Sequence, residues 1–135
     1  MTITRSNFRI LVIAEFSLGI IGGIVDALGE SSLPLELQSY LNHYYESDFS
    51  IGTLILFGFS LFAIVSNIGI LFFAKWAKDI FAGSYLLACA GMFLGGPVVQ
   101  TGLAASFIEL SIFCAGFIVA CMYFSPAKDF FEKIR

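Results

Sequence analysis

Residues 10–28, ILVIAEFSLGIIGGIVDAL, decide how this chain folds. Glu15, Gly19, Gly22 and Asp26 follow one another in this run at spacings of 4, 3 and 4. This spacing places two carboxylates and two glycines on one stripe of a helix. A run of about 19 residues is long enough to cross a hydrocarbon core. A carboxylate inside such a helix requires a partner, a cavity or a function.

The composition of the whole chain indicates that lipid is its solvent. Hydrophobic residues make up 59% of the 135 residues and charged residues 13%, against roughly 25% charged residues in soluble domains. A soluble fold of this length has too little interior to bury so much apolar surface. The sequence contains no basic cluster, Walker-type loop or GxGxxG motif, so we expect no nucleic-acid partner and no nucleotide cofactor.

Three more apolar runs follow the first, at residues 51–73, 80–98 and 103–124. The four runs predict an all-α membrane protein that forms one domain, 1–135, built as a bundle of four transmembrane helices. We expect the first run to be retained as a span, because it is longer than a typical signal sequence core and contains Glu15.

The segment between the first two runs, residues 29–50, predicts a short amphipathic helix that begins near Pro34. Tyr40, Tyr44 and Tyr45 suit the boundary between water and lipid. Such a helix lies flat on the membrane or covers the bundle, and the alternative is a docking surface or a substrate lid. Between the second and third runs, residues 74–79 (AKWAKD) predict a tight basic turn anchored by a tryptophan.

The basic residues all fall on one side of this four-span plan. They precede the first run, lie in the second connection or follow the last run: Arg5, Arg9, Lys75, Lys78, Lys128, Lys133 and Arg135. The positive-inside rule therefore places both termini in the cytoplasm and the tyrosine-rich loop outside. We expect a multi-pass protein of the bacterial inner membrane.

Five polar residues within or near the spans form a candidate intramembrane polar site. The plan places Glu15, Asn67 and Ser84 in the inner leaflet, and Asp26 and Glu109 towards the outer side. Glu15 has two interpretations. It is a carboxylate facing a cavity that carries a proton or a cation, or it is a structural acid, either neutral or paired with Asn67 or Ser84, that fixes the helix register. Simple solvation suits Asp26, and Asn67 is typical of a hydrogen bond between helices.

Small residues indicate where helices approach one another closely. The predicted packing positions are Gly19, Gly22, Gly23, Gly91, Gly95 and Gly116. The spacing of small residues on at least three helices favours left-handed crossings of about +20°, whereas GxxxG pairs at 19 and 23 and at 91 and 95 favour closer right-handed contacts, within one chain or between copies.

The residue types argue against an enzyme or a cofactor. Cys89, Cys114 and Cys121 form no CxxC pair and lie in apolar runs, so we expect reduced, buried thiols and no metal site. His43, the only histidine, falls in the first loop, where it provides no axial haem ligand inside the membrane. No nucleophile and base can be paired at a common depth.

A glutamate early in the first of four short spans resembles the small multidrug resistance transporters. In that family one carboxylate, shared between two copies, exchanges protons for cationic drugs, and the resemblance implies that role for Glu15. The similarity covers Glu15 and the number of spans. The loop of about 22 residues after the first span and the strong lysine and arginine bias depart from the family pattern.

Two functional hypotheses follow. In the first, the chain is a small membrane scaffold or accessory subunit that contacts the lipid bilayer and further copies of itself or a larger membrane complex. In the second, it is an oligomeric transporter or channel for protons or small cations that uses Glu15. The two hypotheses differ in whether Glu15→Gln is tolerated.

Overall fold

The computed structural model describes residues 3–46, 51–94 and 99–132, with side chains over 3–43, 58, 60–88 and 99–132. The prediction of an all-helical fold is confirmed for these residues, because they form helices and no strands. The helices are α1 (Arg5–Gly29), α2 (Leu35–Glu46), α3 (Ile51–Leu71), α4 (Lys75–Leu94), α5 (Gly102–Phe124) and α6 (Asp129–Glu132). Two 3₁₀ turns follow α1 and α5 at Glu30–Ser32 and Pro126–Lys128.

Two segments of the described chain are long and apolar enough to cross a membrane by length and composition. They are Arg5–Ser32, which contains α1, and Gly102–Phe124, which is α5. The predicted spans 10–28 and 103–124 fall on α1 and α5, and the span 51–73 extends two residues beyond the end of α3. Helix α2 lies within the first loop as predicted. The last residues of the predicted span 80–98, from 95 onward, lie outside the described part of the chain.

Polar side chains fix where several helices begin and end. Thr4 and Thr101 precede α1 and α5, and their hydroxyls accept hydrogen bonds from Asn7 N and Ala104 N at 3.2 Å each. Each bond satisfies a main-chain N–H that has no partner inside the helix. After α5, the Ser125 hydroxyl donates to the Cys121 carbonyl at 2.7 Å, and this bond satisfies an acceptor in the last turn.

The connection between α3 and α4 corrects the prediction of a basic turn at 74–79. The turn is formed by Phe72–Ala74, and Lys75 to Asp79 already belong to α4. The main-chain nitrogens of Phe73 and Ala74 donate to Ile70 O and Gly69 O at 2.9 Å each. These two bonds form a Schellman motif, which ends α3 abruptly and allows α4 to begin at once.

Helices α1 and α5 form the longest helix pair, and they run antiparallel. Gly29 lies against Thr101, Gly22 against Ile108, and Phe8 near the start of α1 contacts Phe131 beyond the end of α5. Helices α3 and α4 form a second pair that is tightest at Gly69, where an added Cβ would lie 2.6 Å from the Ala77 Cβ. Burial is densest at the end of the bundle where α1 and α4 begin. The buried side chains of this cluster include Phe8, Phe73, Phe81, Ile118, Met122 and Phe131.

Candidate functional site

Glu15 is the most unusual buried residue of the described chain, because only 2% of its surface is exposed although it lies on a strongly apolar helix. Its Oε1 accepts a hydrogen bond from the Tyr85 hydroxyl of α4. The Ser111 hydroxyl of α5 lies 3.0 Å from the Glu15 main-chain oxygen and 3.4 Å from Oε1. A serine hydroxyl has one hydrogen, so it donates mainly to the nearer main-chain oxygen. Tyr85 is therefore the firm donor to the carboxyl.

Asn67 brings the fourth long helix to the same place. Its side chain, 4% exposed, approaches the Glu15 carboxyl from α3 as a weak hydrogen-bond donor, at more than the length of an ordinary hydrogen bond. The Asn67 Nδ2 donates to the Ala63 carbonyl of its own helix at 3.2 Å. We call the four residues Glu15, Asn67, Tyr85 and Ser111 the polar cluster. One residue from each of the four long helices contributes to it.

Two oxygens of the polar cluster have no hydrogen-bond partner among the described residues. They are Glu15 Oε2 and Asn67 Oδ1, and both atoms are buried. Buried polar atoms almost always have a partner, and an exception in a folded protein requires an explanation. Both atoms are acceptors when the glutamate is ionised, so they cannot satisfy one another without a hydrogen or a cation between them.

The other predicted polar positions lie apart from the cluster. Ser84 is buried, but its hydroxyl donates to Phe81 O of the same helix at 2.8 Å. Glu109 is exposed on α5 and so faces away from the cluster. Asp26 is half-buried near the other end of α1, about 16 Å along the helix from Glu15 at 1.5 Å per residue. Of the two predicted partners of Glu15, Asn67 lies beside its carboxyl and Ser84 bonds within its own helix. The shorter hydrogen bonds to Glu15 come from Tyr85 and Ser111.

Sequence reasoning overlooked these two bonded partners because each lies inside an apolar run without a motif. Tyr85 follows Ser84 directly, and Ser111 lies two residues after Glu109. The available signal was depth, and it pointed to Tyr85 alone: Tyr85 lies five residues from the inner end of the span 80–98, as Glu15 does in the span 10–28. Ser111 lies 13 residues from the inner end of the span 103–124, so the four-span plan does not place it at the level of Glu15. A tyrosine hydroxyl at the depth of a buried carboxyl is a natural donor to it.

The predicted packing glycines fall into two groups. A Cβ at Gly22 would lie 2.7 Å from Ile108 Cγ1, and one at Gly19 would lie 3.3 Å from Ser111 Oγ, so α5 approaches α1 at both positions. A Cβ at Gly23 or Gly116 would meet no atom within 4 Å. The surroundings of Gly91 in α4 are not described, and Gly95 lies outside the described residues. Gly69, which sequence reasoning did not single out, is as tight as Gly22.

Among the described residues, no group of three or more histidine, cysteine, aspartate or glutamate side chains is arranged to hold a metal ion. The polar cluster instead combines one carboxyl, one phenol, one hydroxyl and one amide. This set can hold helices in register, and it can also hold a proton. Comparison of the chain with protein-family models, with curated proteins and with solved structures gave no match.

Proposed function

We propose that the protein is a four-span integral membrane protein with both termini on the cytoplasmic side of a bacterial inner membrane. Helices α1, α3, α4 and α5 have 25, 21, 20 and 23 residues. At 1.5 Å per residue these are roughly 30 to 38 Å long, which matches a hydrocarbon core of about 30 Å. The outward side chains of α1 and α5 support this proposal, because many of them are large and apolar: Ile13, Ile20, Ile24, Phe113 and Phe117 are each about half exposed or more.

The distribution of cations supports the proposed orientation. The Arg5 and Arg9 guanidinium groups lie over the Phe73 ring, 5.4 and 5.0 Å from its centre, at the end where α1 begins. Lys75 begins α4 at this end, and Lys78 lies 4.5 Å from the centre of the Tyr123 ring. Under the positive-inside rule, an end that collects the basic residues faces the cytoplasm.

Within that architecture, we infer that the protein acts as a scaffold or accessory subunit. The observation that carries this proposal is the enclosure of Glu15: its carboxyl is hydrogen-bonded inside the bundle, as in a structural contact, and is not an exposed binding group. The polar cluster then keeps the four helices in register. The apolar outer faces are left to contact lipid, further copies of the chain or another membrane protein.

Gly23 and Gly116 provide the test of this function. Because nothing lies within 4 Å of a Cβ at either position, Gly23→Leu and Gly116→Leu should leave the single chain folded and disturb only contacts with other molecules. The mass of the assembly would be measured in lipid particles extracted from the native membrane without detergent. We expect both variants to reduce that mass, whereas the control Ile20→Leu on the same outer surface should not. A wild-type chain that is already alone in these particles would refute the scaffold proposal.

One observation favours a second function, an oligomeric transporter or channel for protons or small cations. Glu15 Oε2 has no partner, so one side of the carboxyl is free to take up a proton or a cation. Purified protein in liposomes would then collapse an imposed proton or cation gradient faster than empty liposomes, and Glu15→Gln would abolish this flux without unfolding the protein. Flux equal to that of empty liposomes would exclude this function.

A further inference from the structure

The two unpartnered oxygens of the polar cluster have no donor within ordinary hydrogen-bond distance. Glu15 Oε2 and Asn67 Oδ1 are both buried, and the two side chains adjoin each other. Around them, the Tyr85 hydroxyl is used by Glu15 Oε1, and the Ser111 hydroxyl by the Glu15 main-chain oxygen and Oε1. The Asn67 amide nitrogen bonds to Ala63 O. The second hydrogen of that amide approaches the Glu15 carboxyl, but no hydrogen bond of ordinary length reaches either free oxygen.

No positive charge among the described side chains compensates a carboxylate at this position. The groups that face Glu15 are a phenol from α4, a hydroxyl from α5 and an amide from α3, and none of them is a cation. Arg9, the nearest basic residue before Glu15 on α1, donates to the Leu71 carbonyl at 3.0 Å and lies over the Phe73 ring. An ionised carboxylate buried without a counter-charge is strongly unfavourable.

We propose that Glu15 holds a proton on Oε2 in the folded protein at neutral pH and donates it to Asn67 Oδ1. One added proton then satisfies both free oxygens, removes the buried charge and leaves the bonds from Tyr85 and Ser111 to Oε1 unchanged. A divalent cation fits less well, because calcium and magnesium take six or more oxygen ligands and the described cluster offers two free ones. This proton site goes beyond the proposed scaffold role and is independent of whether the protein transports anything.

Infrared spectroscopy of the full chain in lipid at neutral pH tests the proposal. The spectrum of wild type minus Glu15→Gln should contain the C=O stretch of a protonated carboxylic acid and no carboxylate bands. Glutamine is the matched replacement, because its Oε1 accepts from Tyr85 and Ser111 and its Nε2 donates to Asn67 Oδ1. We therefore also expect Glu15→Gln to fold and to melt close to the wild-type temperature. Carboxylate bands in the difference spectrum, in place of the acid band, would overturn the proposal.

A second pair of variants tests the role of Asn67. In Asn67→Leu the acid proton loses its acceptor, so the C=O stretch should move to higher frequency. In the control Ser84→Ala the lost hydroxyl was bonded within its own helix, so the stretch should not move. An acid band that is insensitive to Asn67→Leu would refute Asn67 as the acceptor, and loss of the band on addition of sodium would show a cation site in its place. If Glu15→Gln does not fold, ¹³C NMR of glutamate carboxyls in wild type and Asn67→Leu provides the same distinction.

Discussion

At the scale of single residues, Tyr85 and Glu15 are 70 positions apart in sequence, and the hydrogen bond between them joins α4 to α1. When a buried carboxyl oxygen loses its donor, the folded protein loses stability by the full desolvation free energy of that oxygen. This loss exceeds the net contribution of an ordinary hydrogen bond to stability. The bond therefore matters more to stability than its single contact suggests.

The change Tyr85→Phe measures this cost. It removes only the hydroxyl and retains the ring, which packs 4.9 Å from the ring of Phe81. We expect a loss of about 1–3 kcal/mol in the free energy of unfolding, because Glu15 Oε1 keeps only the long contact from Ser111. The control Tyr123→Phe removes a 2.6 Å bond to Asp79 in an exposed setting and should cost about 0.5 kcal/mol or less. Reversible unfolding in mixed micelles would compare the two, and equal losses would contradict the argument.

Phe73 shows a different kind of residue-scale constraint. Its φ of 56° lies in the left-handed region, which a side chain normally avoids, yet its ring is 2% exposed in the aromatic cluster with Phe8 and Phe131. The left-handed backbone of Phe73 therefore destabilises the fold by about 1–2 kcal/mol. Its buried ring stabilises the fold, since truncating a buried phenylalanine to alanine costs about 3–5 kcal/mol.

These two contributions can be separated by comparing glycine with alanine. Phe73→Ala loses the ring and keeps the backbone cost, whereas Phe73→Gly loses the ring and relieves that cost. We expect Phe73→Gly to be more stable than Phe73→Ala by about 1 kcal/mol. At Phe81, inside α4, the order should reverse, because glycine in a helix is about 1 kcal/mol less favourable than alanine. The same order at both positions in thermal unfolding would contradict the left-handed assignment.

At the scale of secondary-structure elements, adjacent glycines of α1 provide the sharpest comparison. Gly22 lies at the contact with α5, where an added Cβ would be 2.7 Å from Ile108 Cγ1 and 3.3 Å from Ile108 N, and Gly23 faces open space. Gly22→Ala should therefore destabilise the fold by about 1–3 kcal/mol through overpacking. Gly23→Ala should be neutral or stabilising by up to about 1 kcal/mol through helix propensity. The two melting temperatures check this, and equal shifts would contradict the α1–α5 pairing.

The helices and the buried acid could be predicted from the sequence, but the contacts between helices could not. The apolar runs located α1, α3, α4 and α5, because hydrophobic length is a local property. Periodicity could not distinguish Gly22 from Gly23 as the position where α5 approaches, since both belong to small-residue patterns and the difference depends on a partner helix about 85 residues away. The early start of α4 at Lys75 was missed because it depends on the left-handed conformation of Phe73, which sequence patterns reserve for glycine or asparagine.

At the scale of the whole molecule, residues of different chemical character occupy different heights along the bundle. The described basic residues and the aromatic cluster occupy one end, the polar cluster follows about two helical turns further along α1, and Asp26 and the Glu30–Ser32 turn lie at the other end. In a membrane this arrangement is polarised, because arginine and lysine flanking the spans set the orientation while acidic residues contribute little.

Cysteine labelling tests the resulting topology. In a parent in which Cys89, Cys114 and Cys121 are replaced by alanine, Ser31→Cys and Lys128→Cys would each carry one thiol at an exposed position, at opposite ends of the bundle. We expect a membrane-impermeant maleimide to label Ser31→Cys on intact cells and Lys128→Cys only after the membrane is opened. The cysteine-free parent should remain unlabelled in both cases. Labelling of both thiols on intact cells would indicate mixed orientations, which would mean that the cations at the aromatic end do not hold that end in the cytoplasm. If instead Lys128→Cys is labelled on intact cells and Ser31→Cys only after the membrane is opened, the polar cluster lies in the outer leaflet. A proton would then reach Glu15 from the outer side of the membrane.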